Sequence, residues 1–176
     1  MRVKKALFYL AMCMMGITVV YGLGTYFLST PANSETLLEK NNRKQIQCLA
    51  TNIYFEANNQ PFVEKQAIAH VVLNRVKDKH FPNTICEVVY QAVLDSNGNP
   101  ILNKCQFSWY CDGKSERILD FDGYQEAFNV AEYVIEIQPK DITEGSLWYH
   151  AVYVNPRWAK DYVKIARIDT HIFYRR

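Results

Sequence analysis

The sequence predicts an α+β fold, in which a helical front half is followed by a small antiparallel β-sheet, preceded by one N-terminal transmembrane helix. Apolar residues recur at helical spacing from about residue 43 onward. Short alternating runs near the C-terminus, from residue 148, are typical of strands. The run from Ala6 to Leu28 has no charged residue. At 176 residues the chain has room for one compact domain and one appended segment.

The N-terminal run is long enough to cross a bilayer as a helix. It exceeds the core of about 7 to 15 residues that signal peptides use, which favours an uncleaved anchor over a cleaved leader and secretion. Arg2, Lys4 and Lys5 precede the run and hold the N-terminus in the cytoplasm. We therefore predict a signal anchor (1–29), a polar tether (30–42) and a globular domain (43–176) on the outer, periplasmic side of the cytoplasmic membrane.

The elements of the globular domain follow from the spacing of apolar residues. Helices are predicted over residues 43–57 and 63–76, then from Pro82 through Ala92 and Val93, and over 124–137. Asn97 and Gly98 favour a hairpin turn between Val93 and Ile101. Strands are predicted over residues 148–153, 162–168 and 172–174.

The charge balance argues against nucleic acid as a partner. The formal net charge is +2, and without the three basic residues at the front the chain has 17 basic and 18 acidic side chains. Binding to nucleic acid rests on many phosphate contacts from a basic face, which this balance does not supply.

Four cysteines follow the anchor, and an even number in an exported domain suggests two disulfides with three possible pairings. We favour Cys105 with Cys111 across a short loop, and Cys48 with Cys86 between helices. Zinc is the competing interpretation, although no two of these cysteines have Cys-x-x-Cys spacing. We expect no metal and no cofactor, because metalloprotease, α/β-hydrolase and phosphate-loop signatures are missing from the sequence.

Several separated blocks carry a family resemblance. They are Ile53-Tyr54-Phe55-Glu56-Ala57, Leu73-Asn74-Arg75, Cys105-Gln106-Phe107-Ser108-Trp109, Tyr149-His150 and His171-Ile172-Phe173-Tyr174. In this order they resemble the SleB-type cell-wall hydrolases, which include the spore-cortex-lytic enzymes. The resemblance covers residues from about 47 to 174 and implies a mostly helical, lysozyme-like lobe.

The resemblance implies that Glu56 is the catalytic residue and that peptidoglycan glycan strands are the substrate. Cleavage would fall between N-acetylmuramic acid and N-acetylglucosamine. The family usually has a second glutamate where this chain has Gln60. That departure favours a lytic transglycosylase, which needs one carboxyl group, over a muramidase-type hydrolase, which needs two. The substrate-binding candidates are Asn74, Gln106, Phe107, Ser108, Tyr149, His150, His171 and Tyr174.

Elementary chemistry agrees with this assignment of Glu56. A glycosidic oxygen is a poor leaving group, so its cleavage needs an acid that is still protonated near neutral pH. The last turn of a helix and an apolar pocket both favour a protonated carboxyl. We expect Phe107 and Trp109 to supply that shielding, because Tyr54 and Phe55 should point elsewhere on the helix.

Three alternatives stay open. Glu64 and Asp112 are second-carboxylate candidates for a hydrolase. An amidase or endopeptidase would need a metal or a nucleophilic cysteine. A non-catalytic module could bind glycan or act as a scaffold.

Overall fold

The computed structural model describes residues 36–176, so the predicted anchor and residues 30–35 of the predicted tether lie outside the described residues. The helices are α1 (Leu37–Ala57), α2 (Phe62–Lys77), α3 (Ile85–Val89) and α4 (Phe121–Glu136). The strands are β1 (Ala92–Leu94), β2 (Pro100–Cys105), β3 (Trp148–Ala151), β4 (Val163–Ile168) and β5 (His171–Arg175). Short 3-10 segments cover Ser108–Cys111 and Arg157–Asp161. Within this range no helix is both long and apolar enough to cross a membrane.

The main core forms around α1. Leu49 and Ile53 of α1 are fully buried against α3 and α4. Helix α3 contributes Val88 to this core, and α4 contributes Ala131. The apolar periodicity of α1 and α4 therefore has a direct cause, since one stripe of each helix faces the other helices.

A second, smaller core joins the helices to the C-terminal sheet. Ala57 at the end of α1 packs with Ile68 and Val71 of α2 and with Phe173 of β5. Because Phe173 is fully buried there, this cluster fixes the last turn of α1 beside the sheet. Glu56 lies in that turn, as predicted.

The strands form two antiparallel sheets in the described part of the chain, one with β1 and β2 and one in the order β3-β5-β4. The predicted hairpin turn is confirmed, because Gly98 has φ +83° and the Asp95 carboxylate accepts hydrogen bonds from the backbone N–H groups of Asn97 and Asn99 at 2.8 and 2.9 Å. The α+β class and the small antiparallel sheet are thus confirmed.

Several predicted boundaries are wrong. Helix α4 begins at Phe121 rather than at residue 124, and β3 ends at Ala151 rather than at residue 153. Helix α1 begins at Leu37, so residues 37–42 of the predicted tether are helical. The third helix ends at Val89, and Ala92 and Val93 belong to β1. Val93 is 52% exposed, so its apolar side chain does not continue a buried helical stripe. The chain forms the β1–β2 hairpin here instead of a helix, and the Gln106 N–H donates to the Gln91 carbonyl at 2.9 Å at the start of that hairpin.

The favoured cysteine pairing is confirmed. Cys48 of α1 is bonded to Cys86 of α3, and Cys105 at the end of β2 is bonded to Cys111 in the following 3-10 segment. All four cysteine thiols of the described residues are therefore in disulfides, which leaves none of them to bind zinc.

Candidate active site

A cleft of about 540 Å³ lies beside the last turn of α1. It is lined by that turn, the 3-10 segment after β2, the end of β3 and the start of β5. The structure brings together here five of the residues singled out from the sequence: Glu56, Ser108, Tyr149, His150 and His171. These residues come from four separate blocks of the sequence, so the fold gives their grouping a spatial basis.

Glu56 presents a half-buried carboxyl group to this cleft. The Tyr149 hydroxyl donates a hydrogen bond to Oε2 of Glu56 at 2.9 Å. Burial raises the pKa of Glu56 above its ordinary value, while the Tyr149 hydrogen bond and the charges of His171 and Arg75 offset part of that effect. Glu56 therefore keeps its proton to higher pH than an exposed glutamate and is suited to general acid catalysis.

Tyr149 stays a neutral donor at any physiological pH. Burial, and then the charge of Glu56, raise the pKa of its phenol well above the ordinary value. Its ring packs edge-on against His171 at a centroid distance of 5.2 Å and tilts against Phe173 at 5.7 Å. These contacts hold the hydroxyl group in one position relative to Glu56.

Arg75 is a buried cation close to Glu56 and Tyr149. Its Nε donates to the Leu147 carbonyl at 2.8 Å, and its guanidinium lies 5.2 and 5.0 Å from the ring centroids of Phe81 and Phe107. Burial lowers the pKa of Arg75, and electrostatic interactions with Tyr149 and Glu56 oppose that shift. The side chain thus ties α2 to the residue before β3 and places a fixed positive charge behind the cleft.

His171 is held from behind by a carboxylate. Glu64, fully buried in the first turn of α2, accepts hydrogen bonds from Nδ1 of His171 and from the Thr170 hydroxyl, the latter at 2.7 Å. Burial opposes ionisation of Glu64, but the hydrogen bonds from Thr170 and His171 outweigh it and lower the Glu64 pKa. Glu64 is therefore an ionised residue that acts on the cleft through His171.

Gln60 occupies the space between two carboxylates. With its amide nitrogen turned toward them, it donates to Asp169 Oδ2 at 3.2 Å and to Glu64 Oε2 at 3.3 Å. The interaction with Glu64 raises the pKa of Asp169. The departure from the family pattern at Gln60 thus places a neutral donor where a third carboxylate would meet two others.

His150 is oriented by two partners. Its Nδ1 lies 2.9 Å from the Ala151 carbonyl oxygen, which requires the proton on that nitrogen, and Nε2 can then accept from the Tyr174 hydroxyl at 2.9 Å. Its ring stacks on Tyr174 at 5.3 Å. Tyr174 is buried and acts through His150, since its own side chain does not line the cleft.

An aromatic pair forms part of the cleft wall. Phe55 and Trp109 stack at 4.7 Å with an interplanar angle of 19°, and Trp109 donates to Asn52 Oδ1 at 3.1 Å. Trp109 lines the same cleft as Glu56, whereas Phe107, the other residue predicted to shield Glu56, does not, and the prediction that Phe55 points away is wrong. Consecutive helical residues differ by about 100° in direction, so a broad cleft can take both Phe55 and Glu56.

Four predicted binding residues lie outside the cleft lining: Tyr174, which contacts His150, and Phe107, Asn74 and Gln106. Phe107 is buried beneath Arg75. Asn74 donates to Asp141 Oδ2 at 2.8 Å and to the Ser146 carbonyl at 3.2 Å, which orders the loop before β3. Gln106 is exposed and contributes its backbone N–H to the hairpin.

Sequence reasoning missed several lining residues, namely Phe55, Tyr153, Val154 and Thr170. Tyr153 is 86% exposed in the turn after β3. The predicted strand over residues 148–153 included Tyr153, whereas β3 ends at Ala151, so the sequence pattern gave no signal that this side chain would line the cleft.

The fold and the cleft define the class of small α+β domains that present a carboxyl group of raised pKa in an open cleft. The chain belongs to the Cell Wall Hydrolase family, whose sequence model matches residues 59–174. Glu56 lies just before the matched range, so its role depends on the cleft geometry rather than on that match.

The chain is also similar in sequence to individual spore cortex-lytic enzymes. The chain is 28% identical over 134 residues to the spore cortex-lytic enzyme of Halalkalibacterium halodurans, covering 73% of this chain and 34% of the relative. It is 28% identical over 114 residues to that of Oceanobacillus iheyensis, covering 60% of this chain and 37% of the relative. The chain thus spans about a third of the length of these curated relatives.

Solved structures share the fold. The catalytic domain of the germination-specific lytic transglycosylase SleB from Bacillus anthracis aligns with a TM-score of 0.55 at 23% identity, covering 81% of this chain and 98% of that domain. The catalytic domain of the Bacillus cereus SleB protein aligns with a TM-score of 0.53 at 23% identity, covering 76% and 91%.

Proposed function

We propose that this protein cuts peptidoglycan glycan strands between N-acetylmuramic acid and N-acetylglucosamine as a lytic transglycosylase, with Glu56 as its one catalytic carboxyl group. The observation that carries the proposal is the raised pKa of Glu56 on the wall of an open cleft. Membership of the Cell Wall Hydrolase family supports the substrate class.

The chemistry needs no water. Protonated Glu56 gives its proton to the glycosidic oxygen, and the bond from that oxygen to C1 of the muramic acid breaks. The Glu56 carboxylate then takes the proton of the C6 hydroxyl group of the same sugar, whose oxygen bonds to C1. The products are a 1,6-anhydro end and a free hydroxyl on the glucosamine. The Tyr149 hydroxyl stabilises the carboxylate between the two proton transfers.

The surroundings of the other acidic residues favour the single-carboxylate route. Glu64 is fully buried and accepts bonds from Thr170 and His171, so it cannot reach a water molecule in the cleft. A muramidase-type hydrolase is the second candidate, because Asp112 does line the cleft. Its carboxylate, however, already accepts from the Lys114 N–H at 2.9 Å and pairs with Lys114 Nζ at 3.2 Å.

Non-glycosidic mechanisms receive less support. A cysteine nucleophile would need a free thiol, and the four cysteines in the described residues are all in disulfides. For the location, we propose that the uncharged N-terminal run anchors the chain in the cytoplasmic membrane with the domain on the periplasmic side. The two disulfides support an oxidising compartment.

The test digests purified peptidoglycan with the full chain in detergent and identifies the products by mass spectrometry. Anhydro-muramic ends support the proposal, reducing muramic ends support the hydrolase, and free peptides support an amidase or endopeptidase. Glu56→Gln keeps the size of the side chain but removes the acid. We expect kcat/KM to fall at least 1,000-fold, which corresponds to ~4 kcal/mol of lost transition-state stabilisation. The variant should still sediment with peptidoglycan. Normal cutting by this variant would remove Glu56 from the mechanism.

A further inference from the structure

A second cleft of about 520 Å³ adjoins the first. It lies between the start of α2 and the outer face of α4, and Gln60 lines both clefts. Its other lining residues are Pro61, Phe62, Lys65, Glu126, Asn129, Val130 and Tyr133. A polymer held in the first cleft can therefore continue into the second over Gln60.

Two exposed aromatic rings form the apolar part of this second cleft. Phe62 is 54% exposed and Tyr133 is 37% exposed, and their centroids lie 5.7 Å apart at an interplanar angle of 57°. Both rings face solvent, and among the ring contacts of residues 36–176 each has only the other as a partner. Exposed rings of this kind can pack on the C–H face of a sugar.

The polar part of the second cleft is neutral. Nζ of Lys65 pairs with Oε2 of Glu126 at 2.6 Å, which balances the two charged groups of the lining. Asn129 Oδ1 accepts from Gln125 at 2.9 Å, which leaves the Asn129 amide nitrogen to donate outward. A neutral amide donor beside aromatic rings suits the N-acetyl groups and C–H faces of sugars.

We propose that this second cleft is an accessory subsite that binds the N-acetyl sugars of a glycan strand extending past the cutting site. The proposal rests on the proposed function, since it assigns a further length of the same substrate to the same protein. Phe62 and Tyr133 would stack on sugar rings. The Asn129 amide nitrogen would donate to an N-acetyl carbonyl, and Oε1 of Gln60 would accept from an N-acetyl N–H, because the Gln60 nitrogen is bonded to Glu64 and Asp169.

The experiment compares long, peptide-free glycan strands with a short disaccharide dimer, using the full chain in detergent. Phe62→Ala combined with Tyr133→Ala should raise KM for long strands about tenfold, which corresponds to about 1.4 kcal/mol of binding. The kcat on long strands and the kcat/KM on the short substrate should change less than twofold. Phe121→Ala is the matched control, because Phe121 is 76% exposed at the start of α4 and lines neither cleft.

An unchanged KM for long strands, an equal loss on both substrates, or an equal effect of Phe121→Ala would overturn the subsite. If the unmodified chain cuts neither substrate, the proposed function fails, and the subsite is then judged by binding alone. In that case, retention of the Glu56→Gln chain on insoluble glycan should fall when Phe62 and Tyr133 are also truncated. Undiminished retention would reject the subsite as well.

Discussion

The buried carboxylate of Glu64 hydrogen-bonds Nδ1 of His171, which joins the first turn of α2 to the first residue of β5 across the back of the cleft. The sequence analysis named Glu64 as a candidate second catalytic carboxyl group, whereas this contact shows that Glu64 orients His171 in the cleft wall. It also separates the two mechanisms that the sequence left open, because a supporting carboxylate and a reacting one respond differently to mutation.

Glu64→Gln should lower kcat by less than about tenfold, whereas Glu56→Gln removes activity. It should also lower the free energy of unfolding by about 3 kcal/mol, since one member of a buried charged pair is lost. Steady-state kinetics and urea denaturation measure the two effects. A folded Glu64→Gln protein as inactive as Glu56→Gln would instead favour the two-carboxylate hydrolase.

Tyr149→Phe should move the alkaline limb of the activity profile to higher pH. The Tyr149 hydrogen bond lowers the pKa of Glu56, so its loss lets Glu56 hold its proton further into the alkaline range. Since the carboxylate also loses a donor after proton transfer, kcat should fall about tenfold. The measurement is kcat/KM against pH, with Tyr153→Phe in the same cleft as control. A limb that moves to lower pH would contradict this account of Glu56.

Glu56→Gln should increase stability at neutral pH. The folded-state pKa of Glu56 is raised above its ordinary 4.5, so the folded protein binds this proton more tightly and loses stability as pH rises through the raised pKa. Removing the ionisable group should stabilise the protein by about 1 kcal/mol at neutral pH and have little effect below pH 4.5. Thermal and urea unfolding test this, with the exposed Glu132→Gln as control.

Local sequence patterns were sufficient for most of the fold. Helix α4 follows from one-sided burial, which leaves its period in the sequence, whereas α2 is buried on all sides from Glu64 to Val72. The error at Ala92 and Val93 has a physical origin, because short apolar runs fit a helix or a strand equally until a hairpin partner such as β2 is known.

The candidate site was predictable only in part. Glu56 and Tyr149 could be named singly, but the 2.9 Å bond between them joins residues 93 positions apart and depends on the packing of β3 and β5. The contact of Glu64 with His171 and the position of Phe55 in the cleft wall also depend on how distant segments pack together. No local pattern specifies such contacts.

The two disulfides should differ in what their removal changes. The Cys48–Cys86 bond closes a loop of 38 residues, and the Cys105–Cys111 bond closes one of 6 residues. The longer loop removes more conformational entropy from the unfolded chain. Replacing both cysteines of a pair with serine should therefore cost about 4 kcal/mol for the long loop and about 2 kcal/mol for the short one.

Activity should show the reverse order. The loop closed by Cys105 and Cys111 contains Ser108 and Trp109 of the cleft, so its release should raise KM, while the Cys48–Cys86 bond lies away from the cleft lining. Urea denaturation and kinetics on peptidoglycan measure both variants. An equal KM in the two variants would show that the loop holds its shape without the disulfide.

Gln60→Glu tests whether the family's usual acidic residue would restore a second catalytic group. In this chain, position 60 lies between Glu64 and Asp169, so a third carboxylate there meets two others. Repulsion raises the folded-state pKa values of the group, and stability is then lost as pH rises through those values. We expect the free energy of unfolding to fall by about 2 kcal/mol at neutral pH and to recover on acidification, with no loss for Gln47→Glu on the exposed face of α1.

The cleavage products of Gln60→Glu should keep anhydro-muramic ends, because the added carboxylate is held against Glu64 and Asp169 and is not free to activate water. A switch to reducing ends would show that residue 60 can activate water, and that Gln60 alone had kept this site from acting as a hydrolase.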